Sequence, residues 1–199
     1  MPASGLILEG ITGAGKTTLL RALRASTEFT EYWPAYDLYR EKETFGEFMG
    51  ELIENPSSSD EFKLRLLNQS VETIERRGAN FMMERAHFSY YALLPKWELY
   101  ANIDERLAAR GTRTVLLELP VTDLKTRSLY RVDRGEANWA GGFIDLYGSE
   151  ESALSTMRRV QQLRREAIER SACRDLIIDS SSMKWDRYIY EIIAFLNVP

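Results

Sequence analysis

The stretch Gly10-Ile11-Thr12-Gly13-Ala14-Gly15-Lys16-Thr17 constrains this chain more than any other. It leaves an apolar strand-like run, Leu6-Ile7-Leu8, and enters a helical pattern, Thr18-Leu19-Leu20-Arg21-Ala22-Leu23. That is the complete phosphate-binding loop signature in its strand–loop–helix setting. The glycines let the backbone fold into a nest of N–H groups that faces phosphate oxygens. A helix starting near Gly15 adds the positive end of its dipole to the same spot. Lys16 is then placed to reach the β- and γ-phosphates and the Thr17 hydroxyl to hold Mg²⁺. The signature implies a nucleoside triphosphate site lined by Thr12, Gly13, Ala14, Gly15, Lys16, Thr17 and Thr18.

The rest of the composition narrows what surrounds that loop. A chain of 199 residues predicts one domain, spanning 1–199, with enough length for a sizeable core. The net charge of −4 argues against broad nucleic-acid or membrane-surface binding. One cysteine, Cys173, excludes an internal disulfide, and beside Leu176-Ile177-Ile178 it reads as a small core residue. Met1-Pro2-Ala3-Ser4 leads straight into the first strand, and no apolar run is long enough to cross a bilayer. These features predict a cytoplasmic protein.

Strand and helix patterns alternate along the chain, which predicts an α/β fold with a doubly wound parallel sheet. The first helix should end near Ala25 with Leu19, Leu20 and Leu23 inward. A second strand is expected at Glu28 to Tyr32, stopped by Pro34, with Glu31 at its carboxyl edge, where ligands of open sheets sit. Glu41 to Asn55 reads as a helix, and Ser57-Ser58-Ser59-Asp60 supplies caps for the next. That helix carries Leu64, Leu67, Val71 and Ile74 on one stripe, with Asn68 and Gln69 in its middle, one of them a candidate to face a cleft.

Asn80-Phe81-Met82-Met83 is apolar and runs straight into Glu84-Arg85 at the edge that delivers the phosphate loop. Glu84 is placed to support the Mg²⁺ shell, and Arg85 to contact the phosphoryl group or the acceptor. The only histidine, His87, follows at once, and one histidine makes no metal site. Pro95 to Arg110 is a long helix pattern closed by Gly111, and Thr114 to Leu119 is a fourth strand. Arg127, Arg131 and Arg134 then enter the glycine-rich tract Gly135 to Gly142, which reads as a lid at about 127–148 whose arginines close over phosphates. Arg158, Arg159, Arg164 and Arg165 interleave with Glu166 and Glu169 and read as a solvated face. Asp175 to Asp179 is the last strand, and the closing helix turns Trp185, Ile189, Ile192, Ile193 and Leu196 inward.

Together these motifs resemble the thymidylate kinase and deoxyribonucleoside kinase group of P-loop kinases over nearly the whole chain. Leu8 to Thr18 resembles the loop of bacterial thymidylate kinases. Glu84-Arg85-Ala86-His87-Phe88-Ser89 resembles their aspartate-arginine motif and the Glu-Arg-Ser motif of the nucleoside kinases. Leu117-Glu118-Leu119-Pro120 with Arg127 and Arg131 resembles the strand leading to the lid, and Ile178-Asp179-Ser180-Ser181 the segment near adenine. The resemblance implies a three-layer P-loop NTPase fold with five parallel strands and a helical lid, ATP and Mg²⁺, and a homodimer. The motifs and the resemblance together give an acceptor side drawn from Thr12, Glu31, Gln69, Arg85 and His87. Thr12 stands where thymidylate kinases carry an aspartate, Glu31-Tyr32-Trp33-Pro34 lacks the arginine of their Arg-Glu-Pro turn, and a further phosphate-binding arginine falls on Glu72.

That shortage of positive charge favours a neutral acceptor hydroxyl, with a nucleoside first among candidates and Glu31 or Glu84 as its base. Two other readings stay open. One is a nucleotide monophosphate kinase that grips its acceptor with other arginines, such as Arg65 or Arg76. The other is an NTP-hydrolysing switch with a protein partner.

Overall fold

In a computed structural model, residues 3–39, 60–130 and 139–198 are described. Five strands, β1 (Gly5–Gly10), β2 (Asp37–Tyr39), β3 (Phe81–Glu84), β4 (Thr112–Glu118) and β5 (Arg174–Asp179), form one parallel sheet in the order β2-β3-β1-β4-β5. β1 is central, with Leu8 in register with Glu84 on one side and Val115 on the other. Three layers follow from its alternation. Leu6 and Leu8 pack with Leu19, Leu20 and Leu23 of α1 (Lys16–Ala25), while Ile7 points to the opposite core. That second core joins α3 (Asp60–Arg77), α4 (His87–Tyr91), α5 (Ala101–Ala109) and α7 (Glu150–Arg170). Between α5 and α7 in sequence lie a helical turn (Val121–Asp123), a π-helical stretch (Leu124–Leu129) and α6 (Trp139–Tyr147). The chain closes with α8 (Trp185–Asn197), which buries Ile189, Ile192 and Leu196 against the α1 face.

The doubly wound five-stranded sheet agrees with the sequence, but its second strand lies elsewhere. Residues expected as a strand at 28–32 form a helix, α2 (Thr27–Tyr32). Ser26 caps it, its Oγ accepting Phe29 N–H at 3.2 Å, and Glu28 occupies the acid-favouring first turn. Phe29 with Tyr32 and Trp33 is helical spacing, and Phe29 and Trp33 pack edge to face inside the core. The true β2 comes after Pro34, at Asp37–Tyr39.

This shift places Glu31 on a helix instead of at the carboxyl edge of a strand. Tyr32 Oη donates to Leu196 O at 2.8 Å, at the far end of α8, where Arg113 near the start of β4 also caps Phe195 and Val198. Ten residues of α1 separate this end from the phosphate loop, roughly 15 Å at helical rise. Glu31 is exposed there, away from the phosphate loop. The helix expected at Glu41 to Asn55, with its following caps Ser57 to Ser59, lies outside the described residues, as do Arg131 and Arg134. No described helix is long and apolar enough to cross a membrane.

Candidate active site

β1 delivers the phosphate loop at the carboxyl edge of the sheet. Gly13 and Gly15 have φ of 82° and 98°, where a side chain is strained. Space forbids one as well: a Cβ on Gly13 would stand 1.9 Å from Arg127 O, and one on Gly15 2.3 Å from the Trp185 ring. Gly15 begins α1 without a side-chain cap, which leaves the helix's first N–H groups for an anion. Ala14 is buried inside the loop and donates to Ile11 O at 3.3 Å. Thr18 is exposed on the first turn of α1. Lys16 is only 6% exposed, and its Nζ donates to Gly10 O at 2.8 Å and Ile11 O at 3.0 Å.

β3 supplies the second half of the site. Thr17 Oγ1 donates to Glu84 Oε1 at 3.0 Å, joining residues 67 apart in sequence. A hydroxyl and a carboxylate so placed are an oxygen donor pair of the kind Mg²⁺ takes, so the residues present fit that ion. Arg85 follows in the left-handed region, φ 68°, an uncommon conformation for a residue with a long side chain. Both peptides flanking it are tied to β1. Arg85 N–H donates to Leu8 O at 3.0 Å, and Ala86 N–H to Glu9 Oε1 at 2.7 Å.

The wall beside the loop comes from the stretch after β4. Ser128 Oγ donates to Thr12 O at 2.5 Å. Arg127 reaches Ser180 O at 2.6 Å and Gly13 O at 3.4 Å, so its guanidinium bridges the phosphate loop and the turn after β5. It belongs to a packed wall, not to an arm swinging free over the phosphates. Ser180 is fully buried, its Oγ donating to Glu118 O at 2.9 Å. Asp179 is exposed, and hydrogen bonds from Ser181 hold its carboxyl below the usual range.

Two expected acceptor-side residues lie apart from this centre. His87 is fully buried, with Nε2 bonded to Asp104 Oδ1 at 2.9 Å, and Nδ1 has no hydrogen-bond partner among the described residues. Asp104 also accepts from Ser171 Oγ at 2.5 Å and Ala172 N–H at 2.6 Å. Burial works against its charge, but the His87 contact and these donors outweigh that and hold its carboxyl low. His87 is therefore a buried link between α4 and α5. Gln69 is exposed in mid-α3, its backbone carbonyl accepting from Thr73 Oγ1. Its neighbour Asn68 accepts from Arg106, which also grips Glu75.

Two charged residues emerge that the sequence pattern does not mark as functional. Glu9 is fully buried, and besides Ala86 it accepts Ser89 Oγ at 2.8 Å. Arg164 is 4% exposed, with Nε 3.5 Å from Glu9 Oε2 and 3.3 Å from Ser89 Oγ. It is not a solvated residue. A signal existed in each case: Glu9 is a carboxylate inside an apolar strand, and Arg164 falls on the α7 stripe of Ala153, Met157, Ala167 and Ile168. Arg165 does face outward, where it clasps Glu118 in a bidentate pair at 2.8 and 2.5 Å.

No protein-family model matches the chain, and no curated protein matches it in sequence. Solved structures do. The chain is similar to the YorR protein of Bacillus subtilis in complex with phosphorylated GDP, at 15% identity and TM-score 0.63, over 96% of this chain and 95% of that one. It is also similar to shikimate kinase from Acinetobacter baumannii in complex with shikimate, at 15% identity and TM-score 0.61, over 98% and 93%. A third is a sugar kinase from Janibacter sp. HTCC2649, at 15% identity and TM-score 0.61, over 99% and 96%. The fold is thus that of the P-loop kinases, matched along almost its whole length.

Proposed function

We propose that this chain is a kinase that transfers the γ-phosphoryl group of ATP, with Mg²⁺, to a hydroxyl of a small molecule. The observation that carries the reading is the Thr17–Glu84 contact beside a glycine cradle that the Arg127 backbone and the Trp185 ring leave no room to fill. Similarity to kinases whose names specify shikimate and a sugar supports a small alcohol as the acceptor class. Resemblance to the deoxyribonucleoside kinases in Glu84-Arg85-Ala86 puts nucleosides first among such alcohols.

Thr17 and Glu84 would hold Mg²⁺, which would supply positive charge to the donor phosphates. The loop N–H groups and Lys16 bind and orient those phosphates. Arg127 and the Ser180 turn hold the donor's other end. Arg85 stabilises charge on the migrating group, and Glu84 takes the base role that Glu31 is too distant to fill. Positioning does most of the catalysis, because the loose transition state asks little covalent chemistry of the protein. Arg131 and Arg134, read from the sequence alone, would add positive charge for the phosphates.

A nucleotide monophosphate as acceptor is the second reading, and one observation favours it. With β2 ending at Tyr39, the next two residues in sequence are Arg40-Glu41, so an arginine-glutamate pair does follow the strand. The case for a neutral acceptor rests on the absence of that arginine after a strand ending at Tyr32, together with Glu72 in place of a second one. ADP release measured with ATP and a panel of nucleosides, nucleoside monophosphates, sugars and other alcohols separates the readings. Acceptor-dependent release supports a kinase, and the ratio between nucleoside and monophosphate assigns the class. Hydrolysis that no acceptor stimulates would overturn the reading in favour of a switch.

A further inference from the structure

Arg85 is held in a strained conformation, and what holds it is a buried charge from the strand that carries the phosphate loop. Glu9 is the last residue before Gly10. Its carboxylate is fully buried and directs one oxygen to Ala86 N–H at 2.7 Å and the other to Ser89 Oγ at 2.8 Å. A carboxylate inside a protein needs a countercharge, and α7 provides Arg164 at 3.5 Å. Ser89 Oγ also meets two nitrogens of that guanidinium at 3.3 Å. Four segments converge here: the end of β1, the turn after β3, α4 and α7.

A pair of apolar residues would fill such a site without the cost of dehydrating two charges, so packing alone does not explain the arrangement. The hydrogen bond to Ala86 does. With Leu8 O on the preceding N–H, it fixes both peptides around Arg85 and so the left-handed φ that sets where the side chain leaves the backbone. We infer that Glu9, with Arg164 as its countercharge, is a positioning residue that ties the Arg85 turn to the phosphate loop. The two halves of the site then keep one register, because Gly10 follows Glu9 covalently while Ala86 hangs on its side chain. Only the consequence for turnover rests on the kinase reading; the turn geometry stands apart from it.

Two double variants separate positioning from packing. Glu9→Leu with Arg164→Met removes the charges and the hydrogen-bond acceptor at similar volume. Glu9→Gln with Arg164→Met removes the same charges but keeps an amide oxygen for Ala86 N–H. Hydrogen exchange at the Arg85 and Ala86 amides, thermal unfolding and Mg·ATP affinity are measured on both, and turnover with the best acceptor of the panel. The leucine variant should unfold within a few degrees of wild type and bind Mg·ATP within about threefold. Its Ala86 amide should exchange roughly ten- to hundredfold faster, the loss expected of one bond to a charged group. Its kcat should fall by about tenfold or more, while the glutamine variant recovers most of both losses. Equal exchange and turnover in the two variants would overturn the inference, and so would failure of the leucine variant to fold while the glutamine variant folds and turns over no faster than it. If the leucine variant does not fold, Ser89→Ala, which deletes only the shared hydroxyl, must still loosen the Ala86 amide; normal protection there refutes the idea. Should no acceptor be found, accelerated exchange in the leucine variant with recovery in the glutamine variant sustains the positioning role while the kinase reading falls.

Discussion

Gly13 and Gly78 offer a controlled comparison of backbone strain with steric overlap. Both sit at positive φ, 82° and 67°, so alanine meets a similar left-handed penalty of about 1 kcal/mol at each. Alanine also narrows the unfolded ensemble, which returns about 0.4–1 kcal/mol at either position. A methyl on Gly78 would meet nothing within 4 Å, so Gly78→Ala should change stability by about 1 kcal/mol or less. At Gly13 the methyl would lie 1.9 Å from Arg127 O and 2.9 Å from Ser128 Cα, both backbone atoms. The loop and the π-helical stretch must then part by more than an ångström, stretching Ser128 Oγ–Thr12 O and Arg127–Gly13 O. Overpacking of about 1–3 kcal/mol plus about 1 kcal/mol for each weakened bond gives a total of about 3–5 kcal/mol. Urea unfolding reads the difference: a gap of about 3 kcal/mol lowers the midpoint of Gly13→Ala by about 1 M relative to Gly78→Ala at an m-value of roughly 2–3 kcal/mol/M. Equal midpoints would refute the reasoning, because they would mean the loop leaves the Arg127 wall at no cost.

Lys16→Ala should lower phosphoryl transfer by about a hundredfold or more and cost only about 1–2 kcal/mol of stability, from its two bonds to Gly10 and Ile11; ADP release and urea unfolding check the pair. Glu31→Gln should be silent in kcat, since Glu31 lies at the opposite edge of the sheet from Lys16; a large fall in a steady-state assay would contradict that placement. Asp104 has its carboxyl held below the unfolded value, so its contribution to stability is present above about pH 4 and is lost as pH falls through the lowered folded value. Asp104→Asn should therefore destabilise at pH 7 by about 2 kcal/mol, and the gap to wild type in chemical unfolding should narrow below about pH 4. Burial pushes the Cys173 thiol up to about 12, so the native protein should not react with iodoacetamide at pH 8 until it is denatured, as mass spectrometry of the alkylated chain would show.

The fold was legible where one signal dominated. The loop signature placed β1 and α1, and apolar runs placed β3 and β4, because a parallel strand covered on both faces has no polar alternation to confuse it; at the edge of the sheet the short run Leu176-Ile177-Ile178 was enough to place β5. The region after α1 carried two signals at once. Thr27, Phe29, Thr30, Tyr32 and Trp33 are β-branched or aromatic, as strands prefer, yet Ser26 and Glu28 mark the start of a helix and the aromatic spacing continues it. Capping and packing against α8 prevailed over propensity there.

That single element decided how much of the site could be read. In an open sheet the residue beyond each strand's carboxyl end faces the ligand, so a strand misplaced by a few residues changes which side chain is credited with the chemistry. Placing β2 before Pro34 promoted Glu31 and left the acceptor side short of an arginine; placing it at Asp37–Tyr39 brings Arg40 and Glu41 into that sequence position instead. The Thr17–Glu84 pair escaped this error because strong local patterns fixed both of its elements, the loop-to-α1 junction and β3. Glu9 and Arg164 went unread for a different reason. Charge in a sequence reads as surface, and a buried ion pair is visible only once two distant stripes are known to face each other. Arg164 shared its stripe with Met157 and Ala167, Glu9 stood among Leu6, Ile7 and Leu8, and their meeting ties the strand that carries the phosphate loop to the turn that holds Arg85.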